Sequence, residues 1–89
     1  MSTVFIAFQS NDETRPIVEA IAQDNPQASV AELPAMVRID AEGSLTVKRA
    51  SIEERVGRAF DLQELHVNLV SLSGHIAESD DELTLSWDR

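Results

Sequence analysis

Residues Thr3 to Gln9 alternate, with Val4, Ile6 and Phe8 pointing one way and Phe5 and Ala7 the other. Period-two alternation is the signature of a strand, and a strand that is apolar on both faces has to be covered on both. The rest of the chain must be folded around that requirement. With 89 residues it can build one compact domain or two very small packed halves. A domain of this size buries about two-thirds of the surface its unfolded chain exposes, which leaves little room for large internal cavities.

The following segments supply candidates for the cover. Ser10, Asn11, Asp12 and Thr14 offer several helix N-caps, and Asp12 and Glu13 suit the positive end of a helix dipole. Ile17, Val18, Ile21 and Ala22 then share one helical face, with Glu19 and Gln23 toward water. Pro16 falls in the first turn, where its missing N–H costs least. Asn25-Pro26 ends the helix, because a residue before proline is pushed out of the α region. Ala28 to Glu32 has weak strand character, and Leu33-Pro34 is a break. The alternation Val37, Ile39, Ala41, then Leu45 and Val47 across Glu42-Gly43-Ser44, predicts a hairpin from about Met36 to Arg49.

Ser51 with Glu54 has the spacing of a capping box opening a second helix, whose apolar stripe is Ile52, Val56, Ala59 and Phe60. Asp61 with Glu64 repeats that signature and predicts a short third helix or turn. Val67 to Ile76 reads as a strand or bent strand pair turning near Gly74. An acidic loop follows from Glu78 to Glu82, and Leu83, Leu85 and Trp87 mark a closing strand. The order predicts an α+β fold. It consists of two strand–helix–strand–strand units packed as one small domain over residues 1–89, with halves at roughly 1–42 and 43–89.

Charge narrows the partners. Sixteen acids face seven bases, a formal net charge of −9, which repels phosphate backbones and anionic membranes. From Arg38 to Arg58 there are five bases and four acids, whereas Asp61 to Arg89 holds seven acids and the single base Arg89. An acidic final third serves solubility, and it is also suited to docking on a basic groove of another protein. No apolar run approaches the roughly 20 residues that span a bilayer. The absence of cysteine excludes disulfides, thiolate catalysis and Cys-type metal ligation, and fits a cytoplasmic location.

Little remains for chemistry. His66 and His75 are the only histidines, and their spacing from Glu64, Glu78, Asp80 and Asp81 does not force a metal site. The Asp80-Asp81-Glu82 run lacks the alternate-residue ligands and central glycine of a calcium loop. Ser71 and Ser73 have no base–orienter pattern, and the three glycines, Gly43, Gly57 and Gly74, stand too far apart for a phosphate loop. A binding role without a cofactor is the default.

Two features draw attention as binding elements. On strict alternation Val67, Leu69 and Ser71 face one way and Asn68, Val70 and Leu72 the other, so both faces carry apolar residues. Either the strand is covered on both sides, or a bulge shifts its register after Leu69, or Val70 and Leu72 belong to a surface buried by a partner. Gly57 falls inside the expected Ser51–Phe60 helix at a cost of about 1 kcal/mol relative to alanine, which calls for a close approach by a strand or by a partner helix.

Certain stretches resemble a known family in order and spacing. They are Val18-Glu19-Ala20-Ile21, Gln23-Asp24-Asn25-Pro26, Pro34 to Ala41 with Leu45, Val47 and Arg49, then Glu54, Gly57-Arg58 and Asp61-Leu62-Gln63-Glu64, and finally Gly74, Asp80-Asp81 and Leu83-Thr84-Leu85-Ser86-Trp87. Together they are similar to the effector (coupling) components of bacterial multicomponent phenol hydroxylases, over nearly the whole chain. The resemblance implies a protein without prosthetic group or enzymatic activity of its own. It would bind a hydroxylase component over its carboxylate-bridged di-iron centre, while a separate reductase delivers electrons from NADH. The related methane monooxygenase effector carries a Val-Asn-Val-Ser-Ser-Thr-Ile-Gly stretch that faces its hydroxylase. Val67, Asn68, Ser71 and Gly74 match it in spacing, Val70 and Leu72 replace hydroxyl-bearing residues, and Ser73 replaces an isoleucine. The expected hydroxylase-binding residues are therefore Asn68, Val70, Ser71, Leu72 and Gly74, with Gly57. The alternative function is a regulatory small-molecule-binding α+β module, which predicts a gain in heat stability with a metabolite.

Overall fold

Thr3–Gln9 forms strand β1, and it is an interior strand. In the computed structural model, which describes residues 3–87, the chain continues through α1 (Thr14–Asp24), β2 (Ser29–Glu32), β3 (Met36–Glu42), β4 (Ser44–Lys48) and α2 (Arg49–Val56). A 3-10 turn (Leu62–Glu64) then leads into α3 (Leu65–Asn68), β5 (Leu69–Ser73), β6 (His75–Glu78) and β7 (Glu82–Ser86). The strands make two antiparallel sheets, ordered β2-β3-β1-β5 and β4-β7-β6, so the fold is α+β as expected. β5, from the second half of the chain, closes the edge of the sheet begun by the first.

On one face of β1, Val4, Ile6 and Phe8 sit opposite Ala41, Ile39 and Val37 of β3. They are buried in a single core with Ile17, Ala20 and Ile21 of α1, Leu45 and Val47 of β4, Ile52 of α2, and Leu83 and Leu85 of β7. Each of the valine, leucine, isoleucine and phenylalanine side chains contributes about 1.5–3 kcal/mol by leaving water. On the other face the cover comes from within the sheet. Ala7 is buried, and Arg38 of β3 lays its guanidinium 3.9 Å from the centroid of the Phe5 ring while its Nε donates to Asp40 at 2.7 Å. A cation over an aromatic face is worth about 0.5–1 kcal/mol at such exposure.

The Met36–Arg49 segment is not a hairpin. β3 and β4 follow one another but lie in different sheets; β3 pairs with β1 and β2, and β4 pairs with β7. Alternation reports which side chains face the core, and both strands face the same core, so the pattern could not reveal that the chain changes sheet at Gly43. The other edge of β4 is occupied by a side chain. Asn25, buried at the end of α1, donates from Nδ2 to the Thr46 carbonyl (2.7 Å) and the Ile21 carbonyl (2.8 Å) and accepts from the Thr46 N–H (3.1 Å). One amide thus satisfies the exposed backbone of an edge strand and the end of a helix together.

α2 begins at Arg49 and ends at Val56, so the Ser51–Glu54 capping box does not form and Ala59 and Phe60 lie beyond the helix. Gly57 is not an interior helical residue. It is the left-handed cap (φ 76°), its N–H bonded to the Glu53 carbonyl, and a methyl group there would meet nothing within 4 Å. The cost assigned to a mid-helix glycine and the close approach inferred from it both fall away, because glycine is the favoured residue at such a terminus. The Asp61–Glu64 box does form: Asp61 accepts from the Gln63 N–H and Glu64 accepts from the Asp61 N–H.

Candidate partner-docking face

Val67 and Asn68 belong to α3, and the strand starts one residue later, at Leu69. The register of β5 against β1 then slips. Phe8 is opposite Leu69, but Ala7 is opposite Ser71 and Ile6 opposite Leu72. Val70 is the extra residue of a bulge, the second of the three readings of this segment. The bulge separates the two apolar residues that strict alternation had placed together. Leu72 turns inward with Leu69 to pack against the core, while Val70 is 49% exposed. β5 is also an edge strand rather than a central one covered on both sides.

The expected site residues therefore divide. Val70 and Ser71 are exposed on the outer edge of the sheet. Asn68 stands at the α3–β5 junction, half-buried, beside Val67, which at 73% is the most exposed large apolar side chain of the described residues. Leu72 is partly buried and packs against the core. Gly74 (φ 126°) is the point where the chain leaves one sheet for the other, and a Cβ there would lie 2.9 Å from Val4 Cγ1. Its requirement for glycine is internal. Gly57 is remote from β5 in sequence, but its neighbours Val56 and Arg58 line the same groove as Val67 and Asn68. That groove, about 340 Å³, runs between the first turn of α1 and the α2–α3 segment, with Glu13, Arg55 and Glu64 on its walls. Val67 stands outside the expected residues because alternation groups it with the inward Leu69, whereas a helical residue follows no period of two.

The groove has fixed charges. Arg58 reaches Glu64 with both terminal nitrogens (3.1 and 3.4 Å). The hydrogen bond from Arg58, followed by that from the Asp61 backbone, holds the Glu64 carboxyl below its ordinary range, and the same bond raises Arg58. Both groups are exposed, so the pair orders the groove wall more than it stabilises the fold. Arg49, at the start of α2, bonds Asp81 (3.1 Å), tying α2 to the acidic loop. Among the described residues no three His, Asp or Glu side chains converge as metal ligands. No helix there is long and apolar enough to cross a membrane.

A family-level match to the MmoB/DmpM family spans residues 2–86. The chain belongs to the MmoB/DmpM family. It is 50% identical to the stimulatory component DmpM of phenol 2-monooxygenase from Pseudomonas sp. (strain CF600) over 97% of this chain and 96% of that one. It is 31% identical to the effector subunit of the alkene monooxygenase system of Xanthobacter autotrophicus (strain ATCC BAA-1158 / Py2), over 84% of this chain and 76% of the relative. Its structure superposes on a chain of a phenol hydroxylase–regulatory protein complex with a TM-score of 0.94 at 44% identity, covering 98% of this chain and 100% of that one. This is a family of effectors, and the MmoB/DmpM member described here is a regulatory component rather than a catalytic hydroxylase.

Proposed function

We propose that this chain is the cofactor-free effector of a multicomponent phenol (aromatic) monooxygenase: it binds the di-iron hydroxylase component and makes its NADH- and O2-dependent hydroxylation efficient. The carrying observation is 50% identity, over nearly the full length of both chains, to a stimulatory component of phenol 2-monooxygenase. The docking face is centred on the α3–β5 junction, with Val67 and Val70 as its apolar contacts, Asn68 and Ser71 beside them, and the Gly57 turn at the groove's other wall. Leu72 and Gly74 serve that face from behind, by holding β5 to the core. Acidic residues of the final third steer encounter with a basic partner. The work is done in the cytoplasm, where a reductase can draw on NADH.

Physically, such a protein acts by population shift. It changes an iron site it never touches only by binding one hydroxylase conformation more tightly than another. A differential affinity of about 1–3 kcal/mol alters the populations about five- to 150-fold. The test adds the purified chain to a phenol hydroxylase and its reductase and measures hydroxylated product per NADH oxidised. Product per NADH rises and saturates with added chain. Unchanged output at saturating dose sinks the proposal.

A further inference from the structure

Asn68 lies in the middle of the proposed docking face, yet its side chain is already engaged within the molecule. The engagement starts in the interior. Thr14, buried at the start of α1, donates its hydroxyl to the Gln9 carbonyl at 2.7 Å, and its N–H donates to Asn11 Oδ1 at 3.0 Å. The Asn11 N–H donates back to the Thr14 hydroxyl oxygen at 3.2 Å. With Oδ1 of Asn11 held inward as an acceptor, its Nδ2 can only point outward as a donor, and it meets Asn68 Oδ1 at 3.0 Å. That in turn fixes the Asn68 amide, whose Nδ2 donates to Glu13 Oε1 at 3.4 Å. Donor and acceptor alternate from a buried threonine to the surface, and each amide has one orientation that satisfies the chain.

We infer that Asn68 is a positioning residue, not a direct contact: the Asn11–Asn68–Glu13 clasp ties the end of α3 to the start of α1 and so sets the direction in which Val67 and Val70 are presented to the hydroxylase. The inference rests on the effector reading and deepens it. α3 is a single turn of four residues, too short to hold its own geometry. Val70, two residues past Asn68, is a bulge residue without a partner across the strand. The clasp is the side-chain connection between this junction and the first helix.

Charge exchange tests it. Asn68→Asp keeps the acceptor for Asn11 but sets a carboxylate against Glu13. Glu13→Gln supplies a new donor to that carboxylate and, on its own, still accepts from Asn68. The full chain is titrated into hydroxylase plus reductase, reading the concentration for half-maximal stimulation, and amide hydrogen exchange over Val67–Val70 is followed in the isolated chain. Asn68→Asp raises the half-maximal concentration about five- to tenfold and speeds local exchange, whereas in a Glu13→Gln background the same substitution moves neither readout from that background's own values. Two results overturn the inference: Asn68→Asp leaving both readouts unmoved, or a defect that Glu13→Gln does not restore, which would make Asn68 a direct contact. Should the unaltered chain fail to stimulate at all, the effector reading falls, and the exchange data alone still decide whether the clasp orders the junction.

Discussion

Replacing Gly74 by alanine puts a methyl group where two sheets meet. The backbone there has φ 126°, outside the regions an L-residue occupies readily, and a residue forced into such a region costs about 1–3 kcal/mol. The new Cβ would also sit 2.9 Å from Val4 Cγ1, a fully buried side chain, and 3.4 Å from the Ser86 nitrogen. Overpacking of this kind adds about 1–3 kcal/mol. The expected total lies near the middle of the roughly 2–6 kcal/mol that these two ranges allow, at about 3–4 kcal/mol, a large share of the roughly 5–15 kcal/mol that holds a domain together. Gly57→Ala is the control. Its φ of 76° is in the left-handed region but nothing lies within 4 Å, so only the backbone cost of about 1–2 kcal/mol applies. Thermal unfolding followed by circular dichroism should therefore show a loss of about 12–30 °C for Gly74→Ala and about 4–15 °C for Gly57→Ala. In a Val4→Ala background the steric share vanishes, and Gly74→Ala should cost about 1–3 kcal/mol less than in the native background. The reasoning is refuted if Gly74→Ala costs no more than Gly57→Ala, or costs the same whether or not Val4 has been shortened.

Four further substitutions have outcomes set by the same geometry. Val70→Asp leaves the unfolding free energy within about 0.5 kcal/mol and raises the concentration needed for stimulation. Leu72→Asp, two residues away, loses about 2–3 kcal/mol in urea denaturation because it drives a charge against the core. Asn25→Ala strips the partners from both backbone groups of Thr46, lowering the urea-derived stability by about 2–3 kcal/mol. Glu64 is held below the ordinary carboxylate range by Arg58 and the Asp61 N–H. Its stabilising contribution is therefore complete above the unfolded carboxylate value and lost as pH falls through the lower folded value. Glu64→Gln should flatten that acid limb of stability measured against pH while leaving the neutral-to-alkaline side parallel to the native curve.

The sequence alone was enough for everything that depends on local periodicity and local chemistry. The two-faced β1, the Pro16 start and Asn25-Pro26 stop of α1, the Asp61–Glu64 capping box and the alternating β3, β4 and β7 all sit where their residues place them. Each is decided by neighbours within four positions in the chain. Tertiary structure decided what those elements meet. Nothing local distinguishes a hairpin at Gly43 from a change of sheet, since β3 and β4 bury the same kind of face in either case. The fate of Val70 and Leu72 likewise depended on one bulge, because a single extra residue moves every later side chain to the opposite face. Whether that slip occurs is set by how Leu69 and Leu72 fit the core around Phe8 and Ile6, a packing question between residues some sixty positions apart along the chain.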